Sequence, residues 1–461
     1  MPVLLKTILA ITLSAFLALA CQAATPVPPN IVLIISDDHS WTDYGFMGHP
    51  HIETPHLDRL AGRSALFTRG YVPTALCRPA LATLITGKYA HQHGITGNDP
   101  VRQQDIEKYN TLRETLIAKI DDLPTVPNLL ATRGYLSHQS GKWWEGNYQR
   151  GGFTHGMTRG FPEPGGRHGD DGLKIGREGM QPVFEFIDHA LAEEQPFFLW
   201  YAPFLPHTPH NPPDRLFDKY KAMDIESEFV ARYYAMVEWF DETCGQLIDH
   251  LDEKGLTENT LIIYVGDNGW IQDPGGNLFA PRSKQSAFEM GTRQPTMFSW
   301  PGTIPPGDRG QQLCSSIDIV PTMLAAAGAE IPDNLPGINL LPILKSGDPT
   351  PRTDVLGESF AHDVADVNDP EASLIYRWVI EDRCKLLLTY DGKLGRHAGT
   401  HPRDEKRPQL FDLHADPHEE HNVAAANPEV VDRLAARLQQ WWPVRNRRVL
   451  TEWTDEPGSW D

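Results

Sequence analysis

Three short clusters carry residue types able to do chemistry. Ser36-Asp37-Asp38-His39 follows a β-branched apolar run at residues 31–35, and two adjacent carboxylates are poor neighbours unless a cation neutralises them. Gly266-Asp267-Asn268-Gly269 follows a second apolar run at 261–265. Either cluster alone also reads as a solvated turn or a helix cap. Together they offer three carboxylates and an amide oxygen, and hard oxygen ligands suit calcium or magnesium. The third cluster is Cys77-Arg78-Pro79-Ala80-Leu81, opening a predicted helix that Gly87 is placed to end. A cysteine at a helix N-terminus is expected to have a lowered thiol pKa and to point at an anion site. An inert buried thiol is the plainer alternative.

For these clusters to meet, distant strand ends must lie side by side. The run at 31–35 predicts a strand buried on both faces, and similar runs recur at 196–202 and 261–265. Helical spacing appears between them at 126–133 and 228–254. Strands separated by helices predict a largely parallel sheet covered on both sides, with its chemistry beyond the carboxyl ends of the strands. The Gly- and Pro-rich stretch 151–176 predicts a long functional loop. Asp348-Pro349-Thr350-Pro351 predicts a linker between a catalytic domain, 27–347, and a C-terminal subdomain, 352–461. Within the latter, 378–390 predicts strands of a small antiparallel sheet and 428–442 a closing helix.

Composition narrows the partners. Lys and Arg number 41 against 61 Asp and Glu, a formal net charge of −20, which repels nucleic acid and anionic membranes at long range. An anionic substrate therefore needs a local cluster of cations and metal. Lys6 followed by a short apolar stretch ending in small residues reads as an export signal over residues 1–23, too short for a membrane span. The protein is thus expected to be periplasmic or extracellular, with Cys21 after Ala18-Leu19-Ala20 offering a variant site for a lipid anchor. With Cys77 reserved for chemistry, Cys244, Cys314 and Cys384 allow at most one intramolecular disulfide.

The third cluster, continued by Leu84-Ile85-Thr86-Gly87-Lys88-Tyr89-Ala90-His91-Gln92-His93-Gly94, resembles the signature of the sulfatase family. Further segments resemble that family's landmarks in order: Ser36-Asp37-Asp38, Gly141-Lys142-Trp143, Pro206-His207-Thr208-Pro209-His210, Asp267-Asn268-Gly269, Lys284 with Gly291-Thr292-Arg293, Asp318 to Thr322, and Leu410-Phe411-Asp412-Leu413. The resemblance implies an alkaline-phosphatase-like α/β fold and hydrolysis of sulfate esters. It implies one calcium ion per chain held by Asp37, Asp38, Asp267 and Asn268, with an oxygen of formylglycine derived from Cys77 completing the set. Lys142 and Lys284 would hold the sulfate oxygens, and His207 would act as acid or base, with His210 a second candidate in the same loop. The implied chemistry is covalent: the hydrated aldehyde attacks sulfur, the alcohol leaves, and loss of a proton from the second hydroxyl releases sulfate. The implied partners are a small-molecule or glycan sulfate ester and a formylglycine-generating maturation enzyme.

Three departures from the family pattern involve four positions. Ala80 and Leu81 stand where serine and arginine are usual, and Arg78 lies three positions away on the helix. Trp144 replaces a histidine expected to contact sulfate, and His155 and His168 in the Gly-rich loop are the candidates to substitute for it. Phe288 stands in place of tyrosine. Trp143 and Trp144 are also candidate walls of a sugar pocket. Two other readings stay open: a phosphoester or phosphonate hydrolase on the same scaffold, and a non-catalytic binding protein.

Overall fold

The computed structural model describes residues 28–451 apart from 393–394, 402–404 and 406. The expected export signal and Cys21 lie outside the described residues. Among those described, no helix is long and apolar enough to cross a membrane.

The unbroken apolar runs become the centre of a sheet. Its strands are β1 (Asn30–Ser36), β2 (Ala65–Phe67), β3 (Leu136–Gly141), β4 (His155–Gly156), β5 (Phe197–Ala202), β6 (Thr260–Gly266), β7 (Thr296–Ser299) and β8 (Gly307–Asp308), in the order β8-β2-β7-β6-β1-β5-β3-β4. β6, β1, β5, β3 and β4 run parallel, whereas β7 is antiparallel to both β6 and β2. Side chains alternate across β1. Ile31, Leu33 and Ile35 pack with Leu81, Leu84 and Val126, from the helices Cys77–Thr86 and Val126–Ala131, on one face. Val32 and Ile34 pack with Val183, Phe186, Met236 and Phe240, from the helices Gln181–Ala192 and Glu228–Glu253, on the other. Each such buried branched side chain contributes about 1.5–3 kcal/mol, so helices are needed on both faces.

A second sheet is antiparallel, β9 (Asp354–Phe360), β10 (Leu374–Glu381), β11 (Cys384–Thr389) and β12 (Gln409–Asp412), in chain order. One face is covered by Leu434 and Leu438 of the helix Pro428–Trp441. The other packs on Tyr71, Ala287 and Phe288. A buried charge cluster ties it to the first sheet: Lys385 Nζ lies 3.0 Å from both Glu289 Oε1 and Glu419 Oε1. Cys244, Cys314 and Cys384 are free thiols. The Gly-rich stretch contains β4 and a short helical turn, Asp170–Lys174, and is otherwise loop.

Candidate active site

Register sets the site. Ser36 pairs with Gly266, so β1 and β6 end level and Asp37-Asp38 lies beside Asp267-Asn268. Backbone bonds lock the two turns, with Asp267 N donating to Ser36 O at 2.9 Å and His39 N to Asn268 O at 3.1 Å. Asp38 is left-handed, φ 62°, and its N–H donates to Asp267 Oδ1 at 3.1 Å. Next along the sheet, β5 leads into the loop carrying His207, and β3 ends at Gly141, followed by Lys142. Glycine is required there: φ is +88°, and a Cβ would stand 1.8 Å from Ala202 O. Four neighbouring strand ends thus deliver Asp267, the Asp37-Asp38 pair, His207 and Lys142. Cys77, the first residue of its helix, points among them, its Sγ 3.8 Å from Asp37 Oδ1 and 3.9 Å from Asp38 Oδ1.

The charges are buried and matched in part. Lys142 Nζ lies 2.8 Å from Asp37 Oδ1, and Lys284 Nζ 2.6 Å from Asp38 Oδ1. Burial pushes the acids of Asp37 and Asp267 up, opposed by the Lys142 ammonium. Burial also opposes the charge on Lys284, but the carboxylate of Asp38, supported by Asp37 and Asp267, outweighs it and holds the ammonium above its usual range. Asp37 outweighs burial in the same way for Lys142. For Cys77 the expectation of a lowered thiol pKa is overturned. Its burial pushes the thiol well up, and Lys142 and Lys284 only partly offset that. His207 Nδ1 donates to Thr208 O at 2.6 Å, leaving Nε2 facing Asp38 Oδ2 at 3.3 Å. Burial, reinforced by Lys142 and Lys284, lowers the His207 pKa well below the usual value.

A divalent cation fits this donor set. Asp37 Oδ2, Asp267 Oδ2 and Asn268 Oδ1 are buried and accept no hydrogen bond from the protein, and such oxygens are costly to leave unpaired. Donor atoms of Asp37, Asp38, Cys77 and His207 lie within 4.8 Å of one another. Three carboxylates outnumber two ammonium groups, which leaves room for further positive charge.

Above the cluster is a cavity of about 750 Å³ lined by Asp38, Cys77, Lys142, His207 and Lys284. Trp144 and His168 line it too, their rings 5.3 Å apart, and Lys142 Nζ stands 4.9 Å from the Trp144 ring centre. His155 does not reach it. On the edge strand β4, its ring packs on Phe186 and His189, because pairing with His138 turns it to the outer end of the sheet. His210 does not line the cavity; half-buried, its ring lies 5.6 Å from the Tyr233 ring and 6.1 Å from Trp270. Trp143 is buried against Phe153 and Trp200. Arg78 gives its guanidinium to Glu145, Nη2 to Oε2 at 2.6 Å, and Leu81 is packed in the core. Sequence reading missed the opposite wall, with Asn98, Asp99, Arg102, Arg113, Arg167 and His362. Those residues follow no motif; the short parallel pairing of Asp99-Pro100 with Asp363-Val364 and the bonds of Arg113 and Arg167 to Asp99 bring their wall into place.

Residues 29–329 match the Sulfatase family model, and 282–442 match the model for the C-terminal region of N-sulphoglucosamine sulphohydrolase. N-acetylgalactosamine-6-sulfatase of Canis lupus familiaris is 30% identical, covering 89% of this chain and 85% of the relative. Arylsulfatase A of Homo sapiens is 30% identical, covering 91% and 89%. The crystal structure of Ps i-CgsB superposes with TM-score 0.70 at 25% identity, covering 90% of this chain and 93% of that one. The phosphonate monoester hydrolase of Agrobacterium radiobacter shares the fold, with TM-score 0.64 at 20% identity over 89% and 95%.

Proposed function

The chain belongs to the sulfatase family and is a sulfuric ester hydrolase, and from this premise we propose that it cleaves sulfate esters of an extracellular glycan at the Cys77 cluster. The observation that carries the reading is the buried set of Asp37, Asp38, Asp267 and Asn268 oxygens, three of them unpaired, around the Cys77 side chain. The glycan is suggested by relatives such as the N-acetylgalactosamine-6-sulfatase. We further assign residues 27–347 to catalysis and 352–461 to a supporting subdomain, and export to the periplasm or medium by the leader.

Asp37, Asp38, Asp267 and Asn268 would hold calcium, which supplies positive charge beside the nucleophile and the sulfate. Formylglycine at position 77, made by a maturation enzyme, would supply a hydroxyl nucleophile and a second hydroxyl for sulfate release; the Sγ of Cys77 marks that position. Lys142 and Lys284 bind the sulfate oxygens and offset charge as the ester bond breaks. His207, its Nδ1–H tied to Thr208 O, presents Nε2 to move a proton at the nucleophile or leaving oxygen. His168 is assigned the role of the histidine that Trp144 replaces, since it lines the pocket while His155 faces elsewhere. Trp144 then serves as a wall of the substrate pocket, and His210 orients its loop.

The test is the mass of the tryptic peptide 70–88, taken together with turnover of an aryl sulfate and of the matching aryl phosphate. An aldehyde at position 77 and a clear preference for sulfate are expected. An intact thiol with preferential phosphate turnover would overturn the assignment in favour of a phosphoester hydrolase, the reading that the shared fold of the phosphonate hydrolase leaves open.

A further inference from the structure

The pocket wall opposite His207 carries a concentration of cations that sulfate binding does not use. We propose that Arg113 and Arg167, held on Asp99, together with Arg102 in the same cavity lining, form a second anion subsite selecting substrates whose alcohol part carries another carboxylate or sulfate. This rests on reading the cavity above Cys77 as the sulfate-ester site.

Asp99 is nearly buried and anchors the group. Arg167 Nε donates to Asp99 Oδ2 at 2.9 Å, and Arg113 Nη2 to Oδ1 at 2.9 Å. Arg113 is further fixed by the rings of Tyr109 and Phe161, at 5.0 and 5.4 Å. Arg167 keeps 37% of its side chain exposed while lining the cavity. Arg102 lines it as well, and it makes no hydrogen bond or ion pair with the described residues. Among the groups lining this part of the cavity, Arg102, Arg113 and Arg167 outnumber the carboxylates of Asp99 and Asp363, an excess of positive charge in a chain whose net charge is −20. Fastening the segment around residue 99 to the Gly-rich loop needs only the Asp99–Arg167 pair, so it accounts for neither the second arginine nor the third.

The position relative to the reacting ester follows from Trp144. Its ring centre lies 4.9 Å from Lys142 Nζ and 5.9 Å from Arg167 Cζ. One indole thus separates the sulfate-binding ammonium from the guanidinium. A sulfate held by Lys142 and an anion held by Arg167 are therefore spaced as groups on one sugar or on two adjacent sugars. Guanidinium recognises both carboxylate and sulfate in paired geometry. The two sources are a uronate carboxylate and a second sulfate.

The experiment compares kcat/KM for three disaccharides carrying the same scissile sulfate, one with no other anion, one with a uronate and one with a second sulfate. The readout is the ratio to the first sugar within each protein, so losses common to all substrates cancel. Wild type is expected to favour at least one dianionic sugar about tenfold. Arg167→Gln should abolish most of that preference, and the exposed Arg102→Ala should reduce it about threefold. Rising salt should erode it in wild type. A wild-type ratio near one with both dianionic sugars, or variants that keep the wild-type ratio, overturns the subsite. Turnover of 4-methylumbelliferyl sulfate is measured alongside. If neither it nor any sugar is hydrolysed, the reaction assigned to the cavity fails, and the ratio is taken from calorimetric dissociation constants. A ratio of one there overturns the subsite as well.

Discussion

Replacing Asp267 by asparagine tests the proposed cation separately from the carboxylates it would neutralise. Without a cation, Asp37, Asp38 and Asp267 stand against Lys142 and Lys284, so one negative charge is uncompensated at a buried centre. Calcium at a hundred times its dissociation constant stabilises the fold by about 2.7 kcal/mol. Unfolding entropy of about 2.1 cal/mol/K per residue over 461 residues amounts to about 1 kcal/mol/K. The wild-type midpoint should therefore rise by about 3 °C in calcium. In Asp267→Asn the amide oxygen can keep the bond from the Asp38 N–H, 3.1 Å in wild type, while the cation-free centre becomes neutral. The variant should melt at or above wild type in chelator and should lose the calcium-dependent rise. Thermal melts of both proteins in calcium and in EDTA supply the four midpoints. A variant melting several degrees below wild type in both buffers would refute the reasoning, since the carboxylate would then matter for packing alone.

Other substitutions test the frame around the site. Gly141→Ala meets left-handed strain of about 1–2 kcal/mol before the Cβ contact 1.8 Å from Ala202 O is relieved. A loss of at least about 3 kcal/mol in urea and a more than tenfold fall in sulfatase rate are expected, because Lys142 must move; wild-type values for both would contradict this. Lys385→Met leaves Glu289 and Glu419 buried without their shared cation and should cost about 3–5 kcal/mol, with Glu419→Gln added to it recovering a large part. His138 is held neutral by burial, its pKa depressed to about 3, with His155 adding to the effect. A base whose folded pKa lies below its unfolded value contributes stability above pH 6.5, and that contribution is lost as pH falls. Between pH 6.5 and 5.0 wild type should therefore lose about 1.6 kcal/mol relative to His138→Phe in denaturant titrations, and parallel pH profiles would count against it.

What the sequence made legible follows from how each element is buried. β1, β5 and β6 are covered on both faces, so their apolar runs are unbroken and the acidic clusters at the ends of β1 and β6 stand out. β3, Leu-Ser-His-Gln-Ser-Gly, is buried too but carries no such signal. The side chains of Ser137, Gln139 and Ser140 find partners in Thr154 N, Gly141 O and Trp200 O, which no local pattern reveals. The Gly-rich loop follows no period, so nothing in it separates His155 from His168 until β4 fixes one at the sheet edge and Trp144 receives the other. Arg78 was visible as a cation near Cys77, yet Glu145, one residue past Trp144, claims it. The arginine wall was illegible because its members, Arg102, Arg113 and Arg167, are brought together by tertiary pairing alone.

Cys77 is 1% exposed, and the ten-residue helix it opens is buried throughout. In the finished fold no second enzyme can lay that stretch of backbone across its own cleft. Any agent that reads Cys77 as a peptide must do so before Lys284 closes on Asp38, a contact spanning 246 positions. Ribosomes add about 5–20 residues per second, so the chain from residue 77 to 284 emerges in about 10–40 s. Translation speed across that interval, more than affinity for the mature protein, then governs how long position 77 stays open to any such agent. A pause placed there lengthens the interval, and rapid overproduction crowds it with unread chains.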